Sequence, residues 1–207
     1  SGGNPAQIAT GLRHAAGMAF HPTTGTFYLQ DNGIDGINVP IEPTSADELN
    51  VIPAADVGGA IEDFGFPSTY GEYRTETVVG NTVIQPRVDF QPIPVPDGAE
   101  AEGPNDIAFA PSTFPEPLAG GIFVGMHGQF SSGGLSNEEN PLVFVDLDDN
   151  SYFHFISNAE AGVGHLDGLL TTVDSLFVAD ISPGGGLGSG DRDSGVIYQI
   201  QASLPTP

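Results

Sequence analysis

The sequence contains no cysteine, no tryptophan and no lysine, and it has only four arginines against 27 acidic residues. Without cysteine it can form neither a disulfide nor a thiolate metal site. Its formal net charge of −23 excludes nucleic-acid binding, because the few cations cannot neutralise phosphates. The charge also disfavours anionic membrane surfaces. It fits a protein whose acidic surface binds divalent cations, tolerates high salt or resists aggregation.

Helical patterns and long apolar runs are scarce as well. Apolar residues seldom recur with helical spacing, and no run approaches the ~20 apolar residues of a membrane-spanning helix. The chain begins at Ser1 rather than at a methionine, which predicts a processed or truncated product. Residues 204–207 are predicted to begin a C-terminal linker.

Short aromatic and β-branched segments are frequent, each bounded by glycine, proline, aspartate or asparagine. Together with 39% hydrophobic residues, 29 glycines and 18 prolines, they predict many strands joined by turns. Residues 86–104 are predicted to cross over in an extended conformation and to supply an outer edge strand, where proline is tolerated. The predicted strands are Thr26–Gln30, Gly121–Gly125, Leu142–Val145, Tyr152–Ile156, Ser175–Ala179 and Val196–Ile200.

A degenerate repeat consists of an apolar strand, a turn, and a second apolar strand that ends in a polar residue. Its three copies are Gly17–Asp31, Asn105–His127 and Asp167–Asp180. This pattern is typical of the inner hairpin of a β-propeller blade, where the terminal polar residue faces the central channel. The repeat alone leaves open an ordinary β-sandwich with three similar hairpins.

Three such hairpins would make about half of a six-bladed ring. A half ring has two open blade faces that are rich in apolar side chains, and exposed patches of that size are normally covered. We therefore expect a missing N-terminal half or another copy of the chain to cover them. A contact between copies that does not close would produce a filament.

Four motifs carry a resemblance to a known family. Three of them are G-L-R-H-x-x-G-x-A-F-x-P at Gly11–Pro22, D-E-L-N at Asp47–Asn50 and D-F-G-F-P-x-x-Y-G at Asp63–Gly71. The fourth is GIFVGMHG at Gly121–Gly128. In this order they resemble the C-terminal half of the soluble glucose/sorbosone dehydrogenases, six-bladed β-propellers that hold pyrroloquinoline quinone (PQQ) and calcium. The resemblance implies an all-β propeller domain over residues 1–203, with about three to four blades in this chain.

The resemblance also implies candidate site residues. Arg13 would contact the quinone, and His14 stands where the family has an asparagine. Backbone carbonyls of the loop that begins at Asp31, Asn32 and Gly33 would bind calcium, a hard cation that prefers oxygen ligands. Three acidic residues could add to this calcium region: Asp35, Asp47 and Glu48.

The cations that would pair with the quinone carboxylates are missing. The family places them in regions that correspond here to residues 131–141 and 162–196, where Arg192 is the sole lysine or arginine. Burying PQQ without matching cations would leave uncompensated charge. The family's catalytic histidine, a general base, belongs to an earlier blade that lies outside this chain.

The sequence therefore predicts an acidic, extracellular or periplasmic β-propeller that serves in binding or self-assembly rather than catalysis. Its candidate partners are carbohydrate, further copies of itself, or a missing N-terminal half. The alternative is a PQQ- and calcium-dependent aldose dehydrogenase whose N-terminal blades, with the catalytic histidine, are outside this chain.

Several further residues have two interpretations each. His127 and His165 are either structural histidines at strand ends or residues that line a channel. The run Asp146–Asn150 forms either a plain turn or a calcium loop, and the loop around Asp193 could bind calcium, form a local ion pair or simply be solvated. Four aromatic residues belong to the blade core or stack on a sugar: Phe64, Phe66, Tyr70 and Tyr73.

Overall fold

The computed structural model describes residues 3–33, 45–73, 75, 77–81, 84–91, 103–128, 141–157, 160, 162–184 and 193–203. They fall into two compact units, Ser1–Gln91 (unit 1) and Pro92–Pro207 (unit 2). All regular secondary structure in the described residues is β-strand, which confirms the all-β class. Within these residues no helix is long and apolar enough to cross a membrane.

Unit 1 is built around a four-stranded antiparallel sheet in the order β2-β3-β4-β8. These strands are β2 (Ala15–Phe20), β3 (Phe27–Asp31), β4 (Glu48–Ile52) and β8 (Val88–Asp89). Two smaller pairs accompany it: β1 (Ala9–Thr10) with β5 (Glu62–Asp63), and β6 (Tyr70–Gly71) with β7 (Val78–Val79). The core cluster of this unit consists of Phe27, Leu29, Ile52 and Phe64.

Unit 2 contains two antiparallel sheets. The first has the order β12-β11-β10-β9, with β9 (Pro104–Phe109), β10 (Ile122–Met126), β11 (Leu142–Val145) and β12 (Tyr152–Ile156). The second has the order β13-β14-β15, with β13 (Gly168–Thr171), β14 (Ser175–Asp180) and β15 (Val196–Gln201). The fully buried Phe123 centres the core, with the rings of Phe144 at 5.2 Å and Phe155 at 5.1 Å between centroids.

The three predicted hairpins are confirmed as the antiparallel pairs β2–β3, β9–β10 and β13–β14. Within the predicted crossover at residues 86–104, β8 pairs with β4 alone at one edge of its sheet, while residues 92–102 lie outside the described part of the chain. No closed ring of blades is identified in the described residues, so the propeller and its extent over residues 1–203 stay predictions. The linker at residues 204–207 lies outside the described part of the chain.

Candidate functional site

Asp31, the last residue of β3, is hydrogen-bonded to the segment that leads into β2. The carboxylate of Asp31 accepts the backbone N–H of Arg13 at 2.8 Å and that of His14 at 2.5 Å. Burial raises the pKa of Asp31, while the bonds from these two N–H groups lower it. Asp31 is buried. Its side chain, which the repeat predicts to face a central channel, is bonded to the segment that precedes β2 of the same hairpin.

The same arrangement recurs in unit 2, where Asp180 ends β14. Its carboxylate accepts the backbone N–H groups of Gly164 at 2.9 Å, His165 at 3.0 Å and Ser182 at 3.0 Å. A Cβ on Gly164 would lie 1.6 Å from the Ser182 carbonyl oxygen, so only glycine permits this approach. We call Asp31 and Asp180, with the N–H groups they accept, the aspartate clamps. In the sequence, the segments that donate to these aspartates are Leu-Arg-His before β2 and Val-Gly-His before β13.

Three carboxylates lie in one cross-strand row of unit 1. Strand register pairs Asp31 with Glu48 and Glu48 with Asp89, so their side chains share one face of the sheet. Glu48 accepts hydrogen bonds from the Gly71 N–H at 3.3 Å and the Asn50 amide at 3.1 Å. Burial nevertheless raises the pKa of Glu48 to about 7, and the charges of Asp89 and Asp31 add to the rise. The row thus concentrates negative charge that a cation would relieve.

A small pocket of unit 1, partly open to solvent, adjoins this row. Its lining includes the carboxylate residues Asp31 and Glu48 together with Arg13 and Asn32. The Oδ1 atom of Asn32 is buried and accepts no hydrogen bond. The aromatic part of the lining is Phe64, Phe66 and Tyr70. The pocket therefore offers oxygen ligands and one guanidinium beside an apolar wall.

The structure brings most of the predicted calcium region together. Arg13, Asp31, Asn32 and Glu48 line the pocket just described. Gly33 and Asp47 lie next to it in the chain and bond to one another, the Gly33 N–H donating to Asp47 Oδ1 at 2.8 Å. The side chain of His14 is exposed, and its backbone N–H serves the Asp31 clamp. Asp35 lies outside the described residues.

The donor set of the pocket suits a hard cation with few charged ligands. Among the described residues no three His, Cys, Asp or Glu side chains are grouped so that they could hold a metal ion. A calcium ion here would bind through Asp31 and Glu48 together with neutral oxygens, as calcium commonly does. The unpartnered Asn32 Oδ1 atom is one such oxygen, and it fits the predicted calcium region.

Unit 2 contains a histidine–aspartate pair. His127, directly after β10, lies with its Nδ1 atom 2.5 Å from Asp167 Oδ1, and the Asn105 amide donates to the same oxygen at 2.7 Å. The ring of His165 stacks on that of His127 with centroids 4.6 Å apart, and His165 Nδ1 lies 2.5 Å from the His127 carbonyl oxygen. His165 and Asp167 are buried. This geometry gives both histidines a structural part in joining β10 to the segment before β13.

Sequence reasoning missed the partners in this pair. Asp167 is 40 positions from His127 in the chain, and the packing of β13 against β9 and β10, strands of another sheet, brings them together. The available signal was the repeat, because Asn105 and Asp167 stand at the start of its second and third copies. In the structure the side chains of these two residues are hydrogen-bonded to each other, which is a physical reason for a polar residue at each position.

The free energy of unfolding of unit 2 should depend on pH through this histidine–aspartate pair. The hydrogen bond that His127 donates to the Asp167 carboxylate raises the pKa of His127 above its ordinary value, although burial opposes the shift. A raised folded-state pKa gives stabilisation that is complete below the unfolded value and is lost as pH rises through the folded value. We expect Asp167→Asn to reduce the free energy of unfolding more at pH 6 than at pH 9. Equal losses at both pH values, measured by urea unfolding, would contradict this expectation.

The remaining candidates have local roles. Asp146 and Asp149 accept the N–H groups of Asp148 and Ser151 at 2.8 Å each, which is the geometry of a plain turn between β11 and β12. Asp193 has φ of 62° and its neighbours Asp191 and Arg192 lie outside the described residues. Phe64 and Tyr73 are buried, whereas Phe66 and Tyr70 are partly exposed at the pocket.

Comparison with known proteins identifies a sequence relative and a structural neighbour. No protein-family profile matches the chain. Over 65 residues it is 40% identical to an uncharacterized protein of Borreliella burgdorferi, a match that covers 31% of this chain and 15% of that protein. The fold is similar to the iodide structure of a Trichoderma reesei member of carbohydrate-active enzymes family AA12, with a TM-score of 0.52 and 17% identity.

The structural match covers 94% of this chain and 54% of the Trichoderma reesei chain. The present chain therefore spans about half the length of its structural neighbour, and a far smaller part of its sequence relative. At this level of identity the likeness concerns the fold alone.

Proposed function

We propose that this chain is part of a β-propeller of the six-bladed type that serves in ligand binding and protein assembly, not in quinone-dependent oxidation. The observation that carries the proposal is the composition of the unit 1 pocket, in which one guanidinium, that of Arg13, stands among carboxylates. A redox cofactor with several carboxylates requires the opposite balance of charge.

The propeller part of the proposal is supported by repetition. Three antiparallel hairpins have the same strand–turn–strand plan, and the first and third end in an aspartate clamp. Repeated small sheets of this kind bury their faces by stacking on one another. The similarity to about half of a longer chain agrees with a chain that supplies about three to four blades.

PQQ does not fit the pocket well. Its carboxylates would lie near Asp31 and Glu48, and like charges at short range in a partly buried site repel strongly. Arg13 alone would face them among the described lining residues. Calcium fits better, since the same carboxylates and the unpartnered Asn32 Oδ1 atom would all be favourable ligands.

We expect calcium, and not PQQ, to raise the thermal unfolding temperature of the chain. A ligand that binds the folded state alone stabilises it by an amount that grows with the logarithm of the ratio of ligand concentration to dissociation constant. Asn32→Ala, which removes one oxygen ligand, should weaken calcium binding roughly tenfold. Asn81→Ala, an exposed asparagine of the same unit, is the matched control and should leave binding unchanged.

Two results would overturn the proposal. One is a thermal unfolding temperature that saturating calcium does not change, together with no heat of calcium binding by calorimetry. The other is dye-linked oxidation of aldoses by this chain after reconstitution with PQQ and calcium. Equal calcium affinities for the Asn32→Ala and Asn81→Ala variants would place the ion elsewhere.

A dehydrogenase completed by further blades is the second candidate. The observation in its favour is that the structural neighbour is nearly twice as long and is named as a member of a carbohydrate-active enzyme family. In such an enzyme Arg13 would hold the quinone, and the catalytic histidine would come from blades outside this chain. A coding sequence without further blades upstream would remove this candidate, and secretion of the precursor would test the extracellular or periplasmic location.

A further inference from the structure

The turn between β2 and β3 is fastened by a histidine ring. The Nδ1 atom of His21 lies 3.2 Å from the backbone nitrogens of Thr23 and Thr24, and 3.1 Å from the Thr23 hydroxyl. A backbone N–H can only donate, so these contacts define Nδ1 as an acceptor that carries no proton. In a neutral imidazole the ring proton is then on Nε2. The turn in this conformation therefore requires a neutral His21.

An acceptor at the start of a turn is more often a carboxylate or an amide. Aspartate and asparagine side chains accept the N–H group two residues further along the chain and so fix the turn. In the turn between β11 and β12, Asp146 accepts the Asp148 N–H in this way at 2.8 Å. Histidine differs from aspartate because its charge ordinarily changes between pH 5 and 8. Both nitrogens of a protonated ring are donors, so it cannot accept the two N–H groups.

We propose that the β2–β3 turn is a pH-sensitive switch, closed while His21 is neutral and opened when the ring takes up a proton. Protonation turns the acceptor into a donor that faces two other donors, so the ring leaves the turn and the N–H groups of Thr23 and Thr24 bond to water. Two backbone bonds of the turn do not involve the ring, His21 N–H to the Thr26 carbonyl and Gly25 N–H to the His21 carbonyl. The switch therefore loosens the turn without separating β2 from β3.

The groups around the ring do not oppose this switch. Residues 22–26 carry no charged side chain, and the titratable group in ring contact with His21 is Tyr28 on β3, with centroids 6.5 Å apart. The turn after β4 approaches at Gly25, where a Cβ would lie 3.6 Å from that of Ala54, and it carries the exposed Asp56. A carboxylate favours the charged form of a nearby histidine.

The switch acts in the opposite direction to the His127–Asp167 pair. The Nδ1 atom of His127 meets a carboxylate, so its stabilisation is lost as pH rises, whereas that of His21 meets N–H groups, so its stabilisation is lost as pH falls. Acid should therefore loosen this turn of unit 1 while it strengthens the pair in unit 2. The inference depends neither on calcium nor on the propeller, so its failure would leave the proposed function standing.

Amide hydrogen exchange, followed by nuclear magnetic resonance on the nitrogen-15-labelled chain at pH 5 and pH 8, tests the switch. Exchange rates corrected for the intrinsic effect of pH give a protection factor for each N–H group. We expect the protection factors of Thr23 and Thr24 to be about fivefold lower at pH 5, the effect of losing a hydrogen bond worth about 1 kcal/mol. The Asp148 N–H, held by a carboxylate, is the reference within the same molecule and should change little.

Two variants separate the ring from other effects of pH. The amide oxygen of His21→Asn can accept the same N–H groups and does not titrate, so Thr23 and Thr24 should be equally protected at both pH values. His154→Gln, which removes a partly buried histidine of β12 in unit 2, is the matched control and should keep the wild-type pH dependence. Equal protection at pH 5 and pH 8 in the wild type would overturn the proposal. A pH dependence that persists in His21→Asn, or ring nitrogen shifts that place a proton on Nδ1 of His21 at pH 8, would do the same.

Discussion

Asp180→Ala should lower the free energy of unfolding by roughly 3–5 kcal/mol, since each buried N–H left without an acceptor costs about 1–3 kcal/mol. Three backbone N–H groups lose their acceptor at once, those of Gly164, His165 and Ser182. The site is fully buried, so water does not replace the carboxylate at low cost. Urea unfolding followed by far-ultraviolet circular dichroism measures the loss, because the chain has no tryptophan to report it.

The exposed Asp148 provides the control for this experiment. Asp148→Asn, in the turn between β11 and β12, should change the free energy of unfolding very little. Asp180→Asn keeps one acceptor oxygen and should fall between the wild type and the alanine variant. If Asp180→Ala unfolds with less than about 1 kcal/mol of loss, the N–H groups have found other acceptors and the clamp is not a stabilising feature.

Glu48→Gln is expected to stabilise the chain at pH 8 by about 3 kcal/mol in the presence of a chelator. Glu48 has a folded pKa of about 7 against an ordinary value of 4.5, and each unit of difference corresponds to about 1.4 kcal/mol. Because the folded pKa is raised, the folded state binds more protons between these values, and stability falls as pH rises from 4.5 to about 7. A neutral amide of the same shape does not pay that penalty.

The gain should vanish at low pH, where Glu48 is protonated in both states. At pH 4 we therefore expect similar melting temperatures for Glu48→Gln and the wild type. In the variant the glutamine side-chain oxygen can still accept from the Gly71 N–H, and its NH2 group can donate to the unpartnered Oδ1 atom of Asn50. Asp56→Asn, in an exposed turn of the same unit, is the control and should show no pH-dependent gain. A variant less stable than the wild type at pH 8 would contradict the raised pKa.

Hairpins were predictable from the sequence because their signals are local. Tyr152–Ile156 was placed at its observed bounds, and Thr26–Gln30 lies one residue from β3. Alternation of apolar residues between glycines and aspartates depends on a few neighbouring positions. The strand β4, Glu48–Ile52, was not predicted, because its five residues include a glutamate and an asparagine that β-propensity disfavours. Pairing with β3 along its whole length overrides that preference.

The candidate site was predictable only in part. The family motifs gathered Arg13, Asp31, Asn32 and Glu48, and the structure places these four around one pocket. They did not show that Asp31 is already bonded to two backbone N–H groups, nor that Asp89 extends the carboxylate row. Both depend on strand register, which links distant parts of the chain and leaves no fixed spacing in the sequence.

The aspartate clamps also bear on how the chain folds. Each clamp joins its aspartate to N–H groups that lie 15 to 18 positions earlier in the chain, so closing each loop costs little conformational entropy. A hairpin fastened at its open end can form early and persist while pairings of longer range are still absent. A chain built from such self-fastened hairpins can be lengthened or shortened during evolution by one hairpin at a time, with each remaining one still able to fold.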